Sequence, residues 1–201
     1  MKVCLVCFET NRLKDIYPKD FEGRDDPVIK HSVVKAIKKL GHELIIVNAD
    51  ADMFENIKQS NPDVIFNLCD DGFFGDSSME PHVAAMLDVI GVPYTGNNYK
   101  ALSICLDKPL TKAILTGYGL PTPRYFLAES ENDITHKLKY PLIVKPSRED
   151  GSIGIKPDSV VKNKEELKKI VFRVVKNYNQ PALVEEYVAG REFNIALIGN
   201  D

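Results

Sequence analysis

No run of this sequence is apolar for long enough to cross a bilayer, which excludes a membrane-spanning helix as its organising feature. Charge of one sign is equally scarce. Lys and Arg number 26 against 29 Asp and Glu, a formal charge of -3, which leaves no electrostatic footprint for nucleic acid or an anionic membrane. Only six apolar residues separate Met1-Lys2 from Glu9, too short a region for a secretory signal, so a cytoplasmic protein is expected. Cysteine is sparse: Cys4, Cys7, Cys69 and Cys105. Cys4 and Cys7 form a lone CxxC inside a predicted strand, where a three-residue offset points side chains to opposite faces. No second pair or nearby histidine completes a zinc site, and His31, His42, His82 and His136 are scattered, so the cysteines read as buried reduced thiols and no metal ligand is assigned. The first strand is not followed by G-x-G-x-x-G, which disfavours a nicotinamide or flavin dinucleotide. There is no internal repeat.

What is present is a chain of 201 residues with 44% hydrophobic content, enough for one large domain or two small ones. Val3–Phe8 is a continuous apolar run, the pattern of a parallel strand buried on both faces. Residues 9–26 are polar without a helical stripe and read either as a solvated insertion or as a substrate-facing lid. Ile29, Val33, Ile37 and Leu40 fall on one helical face, with Gly41 as its C-cap. Strands follow at 44–47 and 64–66, with a short helix between them that carries Phe54 and Ile57. The alternation predicts a parallel α/β sheet. Ligands bind such sheets beyond the carboxyl ends of their strands, which makes Asn67, Cys69, Asp70, Asp71 and Gly72 a candidate site; a glycine turn with acidic caps is the alternative.

A helix over 79–90 ends at Gly91, a short strand is expected at 92–94, and residues 101–106 are helical. Asp107 is an N-cap for a helix with Pro109 in its first turn. Pro121-Thr122-Pro123 is a rigid connection, and the division between modules falls between Asn97 and Pro121. The second module is read as a strand at 124–128, a short helix at 130–138, and a hairpin over 140–161 whose apolar residues resume at Ile153, Ile155, Val160 and Val161. Asn163 and Glu166 then cap a helix bearing Leu167, Ile170, Val174 and Tyr178, followed by strands at 182–188 and 192–198. The hairpin loop, Ser147-Arg148-Glu149-Asp150-Gly151-Ser152, follows Lys145 at a strand end. A glycine and two hydroxyls beside a lysine suit phosphate oxygens, and a polar surface loop fits the spacing too.

Four stretches occur in an order that resembles the D-alanine:D-alanine ligase family of the ATP-grasp superfamily. They are Gly91-Val92-Pro93-Tyr94-Thr95-Gly96; Leu106-Asp107-Lys108 with Thr111-Lys112; Val144-Lys145-Pro146-Ser147-Arg148-Glu149 through Gly154; and Val184-Glu185-Glu186-Tyr187-Val188 with Gly190-Arg191-Glu192-Phe193. The resemblance implies a Rossmann-like pre-ATP-grasp domain over 1–97, and an α+β ATP-grasp domain over 98–201, incomplete at its C-terminus. It also implies ATP-dependent joining of a carboxylate to an amine through an acyl phosphate, in the service of cell-wall peptidoglycan. By resemblance, Lys108 and Lys145 contact phosphates, and Gly151 and Ser152 form a flap over them. Glu185 reads the adenine amino group, the backbone from Glu186 to Val188 meets the adenine edge, and Glu192 accepts from the ribose.

Three departures accompany the likeness. The family's Gly-Ser-Ser reads Asp150-Gly151-Ser152, its Gly-Gly-x-Ser-x-Glu is replaced by Phe8-Glu9-Thr10-Asn11 with Glu9 as stand-in for substrate ammonium binding, and its Gly-Glu-Asp-Gly keeps only Glu80. Family members carry their magnesium ligands on later strands, so Mg2+ is expected to be held beyond residue 201 and the chain alone to be inactive. Small amino acids are the expected partners, with a homodimer allowed. A ligase for other amino acids, or a nucleotide-binding module without catalysis, are the competing readings.

Overall fold

The structure, a computed structural model, describes residues 1–8, 27–135, 137–197 and 199. It comprises two compact units, Met1–Tyr118 with Ser147–Gly154, and Gly119–Pro146 with Ile155–Asp201. The helices at 99–117, placed by chain order after residue 97, belong by compactness to the first unit.

In the first unit, β1 (Lys2–Cys7), β2 (Glu43–Asn48) and β3 (Val64–Asn67) form a parallel sheet in the order β2-β1-β3. Central β1 is buried on both faces, as its unbroken apolar run requires. Cys4 and Val6 join Val47, Ile65, Met53, Ile57, Val83 and Leu87 in one core. Each fully buried aliphatic side chain there is worth about 1.5–3 kcal/mol of transfer free energy. The connecting helices are α1 (Pro27–Lys39), α2 (Met53–Ser60) and α3 (Glu80–Ile90). Ile37 of α1 is buried, whereas Leu40, expected on the same stripe, lies past the helix end and is 72% exposed. The strand expected at 92–94 is reduced to a single bridge, Ile65 with Tyr94. Ile65 N–H donates to Pro93 C=O at 2.8 Å, but Pro93 has no N–H with which to continue a ladder. Helices α4 (Tyr99–Leu106) and α5 (Lys108–Gly117) complete this unit, with Asn98 and Asp107 as their N-caps.

The second unit is an antiparallel sheet in the order β4-β7-β5-β6, made of Tyr125–Ala128, Ala182–Glu186, Leu142–Pro146 and Val160–Val161. Helix α6 (Lys164–Tyr178) lays Leu167, Ile170, Val171 and Val174 against Leu142, Val144, Val161 and Val184. Asn163 accepts from Glu166 N–H at 2.9 Å, while the Glu166 carboxylate accepts from Lys162 N–H at 2.7 Å.

Three expected elements are corrected here. The helix at 130–138 is one 3-10 turn, Glu131–Asp133, because the Asp133 carboxylate turns back to accept from Glu129 and Ser130 N–H and closes the turn on itself. The hairpin exists as β5 and β6, yet Ile153 and Ile155 stay in its long loop and only Val160 and Val161 pair. No strand forms over the described residues 192–197, where Phe193, Ile195 and Leu197 are 72%, 83% and 92% exposed. The physical reason is topological: β7 already hydrogen-bonds β4 on one side and β5 on the other, so a tight turn after it has no free edge to return to.

The thiols divide by position. Cys4, Cys7 and Cys69 are buried, but Cys105 is exposed, which corrects the expectation of four buried thiols. Burial first, and then the nearby Cys7, pushes the Cys4 thiol up to about 11. Burial, followed by the negative field of Asp71, raises that of Cys69 further. One thiol, Cys105, is therefore expected to react rapidly with a disulfide reagent at neutral pH, and the other three on the order of 100-fold or more slowly. Peptide mapping of the labelled chain checks this; rapid modification of Cys69 would contradict it.

Among the described residues no helix is long and apolar enough to cross a membrane.

Candidate functional site

The second unit presents a charged pair on the sheet face opposite α6. Along β5 the alternation turns Leu142 and Val144 to the helix, which leaves Ile143 and Lys145 on the other face. The register sets Ile143 opposite Glu185 and Lys145 opposite Leu183, so Lys145 and Glu185 are diagonal neighbours. Lys145 Nζ forms an ion pair with Glu185 Oε1, with the side chains only 20% and 10% exposed. Two ions taken that far out of water lose much of their hydration and are held by each other.

One residue along, Glu186 points the other way and is engaged with Arg124. Arg124 Nε donates to Glu186 Oε2 at 3.1 Å, and Glu186 N–H donates to Arg124 C=O at 3.0 Å. The Arg124 hydrogen bond holds the Glu186 carboxyl below its usual range, helped by Lys139 N–H. Strand β7 stops at Glu186, with Tyr187 N–H still bonded to Pro141 C=O at 3.1 Å. Val188 is 71% exposed, and Glu192 is exposed as well.

The first unit holds the second cluster, where the start of α5 meets the loop 147–154. Asp107 caps the helix by accepting from Leu110 N–H at 3.0 Å, and its other carboxylate oxygen takes Arg148 Nε at 3.3 Å. Lys108 N–H donates to Ser147 C=O at 3.1 Å, and Lys108 Nζ donates to Glu149 C=O. Ser77 Oγ donates to Glu149 Oε2 at 3.5 Å. The loop then turns sharply: Gly151 and Ser152 have φ of 51° and 65°, and Ile153 N–H closes on Asp150 C=O at 2.9 Å. Ser152 is exposed, whereas Ser147 is buried and its hydroxyl lacks a hydrogen-bond partner among the described residues. One turn further along α5, Lys112 is also buried.

Of the residues expected at a site, Lys145 and Glu185 are brought into contact, as are Lys108 and the loop that carries Gly151 and Ser152. Glu9 lies outside the described residues. The residues past β3 fold into their own turn, in which Asn67 Oδ1 accepts from Cys69 N–H at 3.2 Å and the buried Cys69 thiol donates to Gly72 C=O at 3.3 Å. Glu80 starts α3 and is half-buried. Arg124, Ser77 and the Asp107–Arg148 pair were not anticipated, since nothing in the local pattern marks a residue for a partner 41 to 72 positions away. Among the described residues no group of three or more His, Cys, Asp or Glu could hold a metal ion.

The family model for the D-ala D-ala ligase C-terminus matches residues 115–201. An uncharacterized protein of Sinorhizobium fredii, y4sG, is 32% identical over 213 residues, covering 100% of this chain and 62% of the relative. The D-alanine–D-alanine ligase of Aquifex aeolicus is 32% identical over 169 residues, covering 83% and 55% respectively. The crystal structure of the Bacillus anthracis D-alanine–D-alanine ligase complexed with ATP shares the fold with a TM-score of 0.68 at 21% identity, over 94% of this chain and 57% of that one. The chain thus spans little more than half the length of the relatives it matches. Residues 115–201 thus match the family model of the D-ala D-ala ligase C-terminus, and the chain is similar to D-alanine–D-alanine ligases in sequence and in fold.

Proposed function

We propose that this chain binds ATP and is the nucleotide-binding portion of a ligase that joins a carboxylate to an amine. The observation that carries the reading is the enclosed Lys145–Glu185 pair on β5 and β7. The pair offers a nucleotide one cation suited to a phosphate oxygen and one carboxylate suited to the adenine amino group, and the two side chains have to part from each other to take both. In this reading Lys108 adds a second cation for the phosphates, Glu192 accepts from the ribose, and the backbone of 186–188 lies along the adenine edge. Gly151 and Ser152 turn backbone and hydroxyl donors toward the phosphates.

The chemistry then runs in two steps. A carboxylate oxygen attacks the γ-phosphorus, ADP leaves, and the acyl phosphate is captured by an amine nitrogen that loses its proton as phosphate departs. Lysines near the transferring group lower the barrier by meeting charge where it spreads over the phosphoryl oxygens. Magnesium, when bound, would neutralise part of the same charge. D-alanine is the substrate in the names of the relatives. The change to Asp150-Gly151-Ser152 favours a second reading, in which the joined amino acids differ, because the loop loses a hydroxyl and gains an anion.

Titration calorimetry with magnesium ATP is expected to give a dissociation constant between about 1 μM and 1 mM, within the usual range for enzyme substrates. GTP should bind more weakly, since its base offers a carbonyl where adenine offers the amino group. An absence of binding heat with ATP would remove the proposal.

A further inference from the structure

Strand β7 ends at Glu186 between two antiparallel neighbours, so the entries to β4 and β5 flank its exit. On the β4 side, the register that sets Tyr125 opposite Glu185 continues with Arg124 opposite Glu186. Arg124 holds both carboxylate oxygens of Glu186, Nε on Oε2 at 3.1 Å and Nη2 on Oε1, and its C=O accepts from Glu186 N–H at 3.0 Å. On the β5 side, Lys139 N–H reaches Glu186 Oε1 at 3.5 Å, and Pro141 C=O accepts from Tyr187 N–H at 3.1 Å. The exit of β7 is therefore tied to the strands on both of its sides.

Folding of the unit does not call for this pair. Both side chains lie at the end of the sheet, that of Arg124 64% exposed, where an ion pair seldom decides stability. The core of Leu142, Val144, Val161 and Val184 against α6 closes without them. Two parallel N–H···O bonds on one carboxylate do supply geometry, because they fix its plane and, through it, the backbone from which it grows; the point charge of a lysine would not. Successive residues of β7 thus have separate tasks. Glu185 turns to Lys145 on one face and Glu186 to Arg124 on the other, and the main chain leaving Glu186 is the segment laid along the base in the ATP reading.

We propose that Arg124 is a positioning residue for the nucleotide base, which it serves by holding Glu186 and so the main chain of 186–188 in the conformation that meets the adenine edge. The proposal deepens the ATP-binding reading and rests on it, and every contact it uses lies within the second unit. Main-chain N–H and C=O groups recognise a base edge only when they are already aimed at it. A strand exit left free lowers affinity by the fraction of molecules in which it is misaligned.

Titration calorimetry on the whole chain tests this with Arg124→Gln, and with Arg124→Lys, which keeps the charge but loses the fork. Arg124→Gln is expected to bind magnesium ATP about 5- to 20-fold more weakly than the parent, while GTP, whose base does not match the same edge, changes by less than about twofold. Arg124→Lys should recover only part of the loss. Without nucleotide, both variants should melt within about 3 °C of the parent, and amide exchange should quicken several-fold at Tyr187 and Val188 but not in α6. ATP affinity of Arg124→Gln within about twofold of the parent overturns the proposal and leaves the ATP reading standing. So does a loss shared equally by GTP, or one accompanied by a melting point lowered by more than about 3 °C, since either makes the pair structural. If the parent chain does not bind ATP, the ATP reading itself falls and the proposal with it.

Discussion

Replacing Gly72 with alanine is expected to cost the first unit about 3 kcal/mol or more, the sum of backbone strain and a clash with main-chain atoms. Gly72 has φ 68° and ψ -170°, a region essentially reserved for glycine. A Cβ built there would lie 2.0 Å from Asp76 O, 2.8 Å from Glu80 N and 2.9 Å from the carbonyl carbon of Met79. All three are backbone atoms at the entry to α3, so no side chain can swing aside. Gly91 supplies the control: its φ is 76° at the C-cap of α3, but nothing lies within 4 Å of its Cβ position. Gly91→Ala should therefore cost only about 1 kcal/mol, the conformational part alone. Thermal melting distinguishes the two, with Gly72→Ala lowered by roughly 10 °C or more. A melting point within about a degree of the parent would show that the turn after β3 is not built as described.

The second large effect belongs to the charged pair. Lys145→Ala removes the cation that Glu185 faces in a site where the side chains are only 20% and 10% exposed. Breaking a fully buried pair costs about 3–5 kcal/mol; the residual exposure here reduces the expected loss to about 2–3 kcal/mol, read from denaturant unfolding of the second unit. Nucleotide affinity should fall by tenfold or more in the same variant, since a charge-assisted contact to phosphate is lost. Lys145→Met combined with Glu185→Leu separates the two roles. Apolar groups of similar volume do not need one another, so stability should return to within about 1 kcal/mol of the parent while binding stays lost. ATP binding by the double variant at parental affinity would mean that this pair is structural only.

The parallel sheet was legible because a strand buried on both faces must be apolar at every position, and Val3–Phe8 is. Helix boundaries were legible for a related reason. Asp107, Asn163 and Gly91 are residue types whose side chains, or lack of one, solve the hydrogen-bonding problem of a helix end locally. The segment at 192–197 shows the opposite case. Its alternation of Phe193, Ile195 and Leu197 has a strand's period, yet whether a strand forms depends on a free neighbouring edge, and β7 has none. Leu40 and the 130–138 stretch failed for similar reasons, one lying beyond the helix end and the other closing early on the Asp133 carboxylate.

At the candidate site the same boundary recurs. The sequence alone determined that Lys108, Lys145, Glu185 and a glycine-bearing loop are present in an order that matches a family, because residue type and chain order are one-dimensional properties. Only the tertiary structure decided that Lys145 meets Glu185 and that Lys108 holds the Glu149 carbonyl. The first contact needs a strand register spanning 40 residues, the second the return of a loop to a helix start 41 residues earlier. Pairings of that range are set by the packing of the whole unit, and no local pattern of side chains encodes them.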